Sequence, residues 1–194
     1  LPVVRAVQLP VEYLITPDPG SDIQTFLSQL KKCLYKGIRL VQLRAKSLSQ
    51  GDYIKLAKQA KELCAEFDAK LILNSDPELV SIVDADGVNL TGERLMALNA
   101  RPLSGNKWVA ASCHTEDDVY HASKIGVDFV MLSPVQATAS HPETKPLGWK
   151  KFQTVCEGAA LPVYALGGVE PDDLEQAFNH GAQGIAAIRA LWDQ

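Results

Sequence analysis

At 194 residues, 46% hydrophobic and 22% charged with a net charge of −4, the chain suffices for one sizeable core and lacks the global basic footprint of a nucleic-acid binder. Its four cysteines, Cys33, Cys64, Cys113 and Cys156, are widely spaced with no CxxC pair, which argues against a disulfide framework or zinc site and fits a reducing, cytoplasmic setting. No run approaches the ~20 apolar residues of a membrane span, and no signal peptide is visible.

The chain opens on Leu1, as expected of a processed chain, a trimmed one or one part of a longer polypeptide, and residues 1–11, with Pro2 and Pro10, read as an arm or linker ahead of a single domain over residues 12–194. A strand is expected at Tyr13–Thr16, then a helix at Asp22–Tyr35 with Ile23, Phe26, Leu27, Leu30 and Leu34 on one face. The next strand, Ile38–Ala45, carries Gln42, Arg44 and Lys46 in alternation with Val41, Leu43 and Ala45. Side chains alternate faces along a strand, so the amide and the two cations are expected on one face, where they would converge on a polar or anionic ligand.

A helix follows at Ser49–Phe67, then strands at Lys70–Asn74, Gly87–Leu90 and Trp108–Ser112. Thr115 followed by Asp118 marks a helix start for Thr115–Lys124. Strands at Phe129–Ser133, Pro162–Leu166 and Gly184–Ile188 complete the series, with a helix at Pro171–His180 closed by Gly181. The fourth helix is expected to be short or irregular, and little chain remains for a helix after Leu191.

Alternating strands and helices predict a parallel sheet with crossover helices. A compact (β/α)8 TIM barrel is favoured over an open doubly wound sheet, because the strand count fits. Polar residues also recur at strand C-termini (Thr16, Lys46, Asn74, Ser112 and Ser133), the end where barrel active sites form.

Four constellations could carry chemistry. The first is Gln42, Arg44 and Lys46. The second is Gly167-Gly168 after the seventh strand with Ala186, Ala187 and Ile188 at the eighth, where backbone N–H groups commonly hold a phosphate and small residues leave room. The third is Ser112-Cys113-His114: His114 suits acid/base work near neutral pH, Ser112 can donate a hydrogen bond, and Cys113 reads as packing. The fourth is the polar, proline-bearing run from Leu132 to Gly148-Trp149, where Thr138 and Ser140 could meet phosphate oxygens and Lys145 could add charge.

Taken in order, these motifs resemble the thiamine phosphate synthase and thiazole tautomerase family over nearly the whole chain after Pro10. The residues carrying the resemblance are Tyr13-Leu14-Ile15-Thr16, Gln42/Arg44/Lys46, Asn74, Ala85-Asp86-Gly87-Val88, Ser112/His114, the Ser133-Pro134 to Ser140 loop, Gly167-Gly168 and Gly181-Ala182. The resemblance implies a (β/α)8 barrel acting in thiamine biosynthesis. The family's synthase joins an aminopyrimidine diphosphate to a thiazole phosphate with Mg2+ and releases pyrophosphate, whereas its tautomerase rearranges a thiazole carboxylate phosphate without metal.

The departures are specific. The family's Asn-Asp-Asp triplet reads Asn74-Ser75-Asp76, so Ser75 stands where a metal aspartate is expected, and Arg94 stands at the second such position. The Thr-x-Thr-Lys run reads Thr138-Ala139-Ser140-His141, without the lysine. Mg2+ prefers carboxylate oxygens, which leaves Asp76 and Glu93 as the weak metal candidates. The thiazole half is better kept: Gly167, Gly168 and the Ala186–Ile188 turn match the family's thiazole-phosphate site, and His114 matches the tautomerase's acid/base histidine.

On this resemblance the expected function is tautomerase-like, with His114, Ser112 and Lys46 as the catalytic set and Gln42, Arg44, Lys46, Asn74, Ser112, Thr138 and Ser140 as the substrate-binding set. Mg2+ is expected only if synthase activity survives. The alternatives are the synthase itself and a non-catalytic sensor domain behind a Nudix hydrolase domain. Expected partners are a small phosphorylated thiazole or pyrimidine ligand, with a homodimer and a covalently fused Nudix domain left open.

Overall fold

Alternation along short strands sets the architecture. In the strand Glu12–Ile15 (β1), Leu14 packs with the surrounding helices while Tyr13 and Ile15 pack with the opposite, inner cluster, and every later strand divides the same way. A sheet that is apolar on both faces needs cover on both. The computed structural model, which describes residues 9–194, meets this need by closing the sheet: eight parallel strands run in the order β1 to β8, and β1 pairs with β8 as well as with β2. Closure favours the barrel over the open sheet.

The further strands are β2 (Leu40–Leu43), β3 (Lys70–Leu73), β4 (Gly87–Leu90), β5 (Trp108–Cys113), β6 (Phe129–Leu132), β7 (Val163–Leu166) and β8 (Gly184–Ala187). The helices are α1 (Ile23–Tyr35), α2 (Gln50–Glu66), α3 (Leu79–Val83), α4 (Gly92–Ala97), α5 (Glu116–Ile125), α6 (Gly148–Gly158), α7 (Leu174–Asn179, preceded by a 3-10 turn at Pro171–Asp173) and α8 (Arg189–Trp192). Side-chain caps define several starts: Asp22 accepts from the Thr25 N–H, Ser49 from Asp52, and Thr115 forms a reciprocal box with Asp118. Each such cap stabilises its helix by about 1 kcal/mol. No helix among the described residues is long and apolar enough to cross a membrane.

The barrel's interior has two zones. In its lower half, Tyr13 packs against Phe129 and Tyr164 with ring centroids 5.6 and 5.3 Å apart, so aromatic rings close this end. The upper half carries the buried polar residues Gln42 and Asn89, with Asn74 and Ser112 beside Asn89. Among the described residues, the buried amide side chains of the interior thus lie toward the C-terminal mouth.

Several expectations need correction. Residues 9–11 of the expected arm are docked rather than loose: Leu9 is buried, its carbonyl accepts from the Gln183 side chain, Pro10 from the Tyr164 hydroxyl, and Val11 from the Ile185 N–H. Residues 1–8 lie outside the described residues. The second strand ends at Leu43, short of the expected Ala45, because the chain turns at Lys46-Ser47, where Asp18 accepts from both the N–H and the hydroxyl of Ser47. The long loop after β6 ends before Gly148, where α6 begins.

Candidate functional site

The C-terminal mouth gathers most of the expected residues, in different roles. Strand alternation puts Gln42 inside the barrel, only 2% exposed, where its amide nitrogen donates to the Tyr13 hydroxyl at 2.8 Å. Burial pushes the Tyr13 phenol upward, so that hydroxyl stays neutral. Gln42 is thus tied to the closed end below it. The expected single face of Gln42, Arg44 and Lys46 does not exist as such: Arg44 lies just past the strand and is half-buried, and Lys46 is exposed on the turn. Arg44 is nonetheless held, since the buried Thr16 hydroxyl accepts from the Arg44 N–H at 3.0 Å and sits 3.3 Å from its carbonyl oxygen.

Next around the mouth is a polar network that joins three strands. The Asn89 amide nitrogen donates to Asn74 Oδ1 and to Ser112 Oγ, both at 3.1 Å. Asn89 Oδ1 is fully buried and without a hydrogen-bond partner. Sequence reasoning chose Asn74 and Ser112 but missed Asn89 between them. The signal was present, as a polar residue in the interior-facing register of an otherwise apolar strand, Gly-Val-Asn-Leu.

His114 follows β5 at the exposed rim, with Nδ1 3.1 Å from the Ser133 carbonyl oxygen and 3.3 Å from the Ser133 hydroxyl. Its own backbone N–H donates to Asp118 at the start of α5. Cys113 points the other way, into the outer core, and burial pushes its thiol up to about 12, in keeping with packing rather than nucleophilic use.

At the end of β7, two strands on from His114, Gly167 and Gly168 both have positive φ, +106° and +66°. A Cβ on Gly167 would sit 2.6 Å from Pro134 Cα, and one on Gly168 would sit 2.4 Å from the Ala137 carbonyl oxygen. The glycines therefore admit the β6–α6 loop against the end of β7, where Leu166 and Gly167 accept from Val135 and Gln136. The N–H groups of Gly167, Gly168 and Ile188 donate to no acceptor among the described residues. These three are the free donors that an anion at this end requires. Ala186 faces the interior, but Ala187 packs in the outer core and so leaves no room at the mouth, contrary to expectation. Thr138 is half-buried and Ser140 exposed on the loop, their only hydrogen bond with each other running from the Ser140 N–H to Thr138 Oγ1 at 3.3 Å.

The donor set at the β3–β4 corner does not fit the Mg2+ that the resemblance implies. Ser75 is buried with its hydroxyl on the Asp76 carbonyl at 3.0 Å. Asp76 Oδ1 is 3.1 Å from the Arg94 guanidinium, and Glu93 is exposed in the first turn of α4. A divalent cation there would face a fixed positive charge, whereas Mg2+ demands oxygen ligands in near-octahedral order. Among the described residues no group of three His, Cys, Asp or Glu is placed to hold a metal ion. The two weak metal candidates, Asp76 and Glu93, are thus one carboxylate engaged by arginine and one facing solvent.

Comparison with known proteins agrees with this fold. The chain is 38% identical over 182 residues to the Aquifex aeolicus (strain VF5) protein named "Putative thiamine-phosphate synthase 2", covering 94% of this chain and 97% of that one. It is 35% identical over 181 residues to the thiamine-phosphate synthase of Synechococcus sp. (strain WH7803), covering 92% of this chain but 51% of that relative, about half its length. The solved thiamine phosphate pyrophosphorylase from Pyrococcus furiosus shares the fold with a TM-score of 0.79 at 24% identity, over 94% of this chain and 87% of that one. The sequence profile of thiamine monophosphate synthase matches residues 12–191, and with that match the chain belongs to the thiamine monophosphate synthase family.

Proposed function

We propose that this chain is a thiamine phosphate synthase, joining an aminopyrimidine diphosphate to a thiazole phosphate with release of pyrophosphate. This reading replaces the tautomerase-like expectation, because the family profile and the similar relatives carry the synthase name. The observation that carries it is the two-sided mouth. Arg44 and Lys46 follow β2 and Arg94 follows β4, at strand ends separate from those of β7 and β8, where Gly167, Gly168 and Ile188 carry free N–H groups. Two phosphorylated substrates need two anion sites, and the Asn74–Asn89–Ser112 network between them offers polar partners to a heterocycle.

In this reading the glycine side takes the thiazole phosphate and the cationic side takes the diphosphate. When the bond from the pyrimidine's methylene carbon to the diphosphate breaks, negative charge grows on the leaving group. Fixed cations stabilise that charge without having to reorganise. The thiazole nitrogen then supplies the electron pair for the new carbon–nitrogen bond, so the residues' main tasks are orientation and charge stabilisation.

A second reading, thiazole tautomerisation, is favoured by His114 alone, whose contact with the Ser133 carbonyl leaves Nε2 free as a base. The test is to incubate the purified protein with aminopyrimidine diphosphate and either thiazole phosphate or its carboxylate, with and without Mg2+, and to measure thiamine phosphate and pyrophosphate. Stoichiometric formation of both is the expected result. Absence of product under all conditions, with proton exchange on the thiazole carboxylate phosphate, would transfer the assignment to the tautomerase.

A further inference from the structure

We propose that Arg94 is the diphosphate-binding group of the β3–β4 corner, placed by Asp76, and that it supplies the positive charge a divalent cation would otherwise bring. The inference deepens the synthase reading and rests on it for the nature of the ligand.

Arg94 has a fixed stem and an open head. Its backbone N–H is capped by the Thr91 hydroxyl in the first turn of α4. Its guanidinium touches Asp76 through one nitrogen at 3.1 Å, with the side chains 37% and 54% exposed. The remaining N–H groups of that fork meet no acceptor among the described residues. A guanidinium carries five donors in a planar fork that matches two phosphate oxygens at once. One carboxylate contact orients the fork without exhausting it.

The surrounding charge favours an anion over a metal. Arg44 and Lys46 stand at the neighbouring corner, and no carboxylate among the described residues lies within ion-pair distance of either. The charge of Arg94 also reaches that corner. Burial pushes the Tyr53 phenol up, and the Asn74 backbone and the Arg94 charge pull it back, while the Tyr53 hydroxyl donates to the Leu43 carbonyl at the end of β2. Asp76, which would be a metal ligand on its own, is instead within contact of a cation. Ser75 offers no charge, because its hydroxyl is neutral, and that hydroxyl donates to the Asp76 carbonyl. At these two strand ends Arg44, Lys46 and Arg94 outnumber the carboxylates beside them, Asp76 on Arg94 and Asp18, whose carboxyl the Arg44 charge helps to lower, and that excess of positive charge suits a polyvalent anion.

The experiment is calorimetric titration of the full chain with inorganic pyrophosphate, in EDTA and again with excess magnesium. Wild-type protein is expected to bind pyrophosphate in EDTA, with no tightening when magnesium is added. Arg94→Gln is expected to weaken binding by about tenfold or more, as loss of a charge-assisted fork predicts, with its thermal melt unchanged because the side chain is partly exposed. Asp76→Asn keeps an acceptor oxygen to orient the guanidinium and removes a negative charge that repels the anion, so pyrophosphate affinity is expected to hold or rise. Binding that needs magnesium in the wild type, binding by Arg94→Gln equal to wild type, or magnesium-dependent binding lost in Asp76→Asn would each overturn the proposal. Product formed only with magnesium, alongside magnesium-dependent pyrophosphate binding, would leave the synthase and remove the role of Arg94. Metal-free pyrophosphate binding lost in Arg94→Gln, with no thiamine phosphate formed, would keep the anion site and remove the synthase.

Discussion

Nδ1 of His114 lies 3.1 Å from the backbone carbonyl oxygen of Ser133. A carbonyl can only accept, so the neutral tautomer that makes this contact carries its proton on Nδ1 and its lone pair on Nε2. The exchange of diphosphate for thiazole at carbon needs no base at that atom. His114→Ala should therefore keep thiamine phosphate formation within about threefold, against the ~10²–10⁴-fold loss expected of a general base. Initial rates with saturating substrates decide it; a loss of the larger size would give His114 a part in the chemistry.

Asn89 binds Asn74 and Ser112 together through one amide nitrogen. Asn89→Ala strips both acceptors of that donor within the barrel. The expected cost is about 1–3 kcal/mol of stability, the penalty for unsatisfied buried polar groups. The heterocycle should bind more weakly as well, because Asn74 and Ser112 lose their mutual orientation. Urea denaturation and an aminopyrimidine titration measure the two effects separately.

Gly168 faces the Ala137 carbonyl oxygen with room only for hydrogen, at a φ of +66°. Gly168→Ala must push the β6–α6 loop away and hold an unfavourable backbone, costing about 1–3 kcal/mol. Since the free N–H groups turn with that backbone, affinity for thiazole phosphate should fall in the same variant. A control is Gly51→Ala, where no atom lies within 4 Å of an added Cβ and neither quantity should fall.

Asp18 links the turn after β1 to the turn after β2, and the Ser47 hydroxyl holds its carboxyl below the ordinary value of 3.8, against a smaller opposing effect of burial. A carboxyl lowered on folding contributes its full stability above the unfolded pKa and loses it as pH falls through the folded one. Stability gained from this link should therefore decline only below about pH 4. Ser47→Ala should raise the Asp18 pKa and shrink that acid-side loss, read by carboxyl-carbon NMR titration of both proteins.

The segment from Leu40 to Ser47 shows how far local pattern reaches. Apolar alternation through Val41 and Leu43 was enough to place β2 and to put Gln42 on the inner face. It could not reveal that Asp18, from another loop, would end the strand before Lys46 by holding Ser47. The docking of Leu9 and Pro10 is invisible to local pattern for the same reason, because their partners Gln183 and Tyr164 are more than 150 residues away in sequence. Helix α6 was hidden because its opening Gly148-Trp149 follows a proline-bearing run that reads as loop.

By itself the sequence determined the alternation of strands and helices, the helix start at Thr115, and the presence of chemistry-bearing residues at strand ends. Periodicity and capping act over a few residues and are written locally. Only the tertiary structure decided that β8 closes on β1, that Asn89 rather than Lys46 completes the inner polar network, and that Arg94 meets Asp76. Those outcomes depend on distances between strand ends that barrel closure fixes, and on which buried polar group finds a partner once water has left.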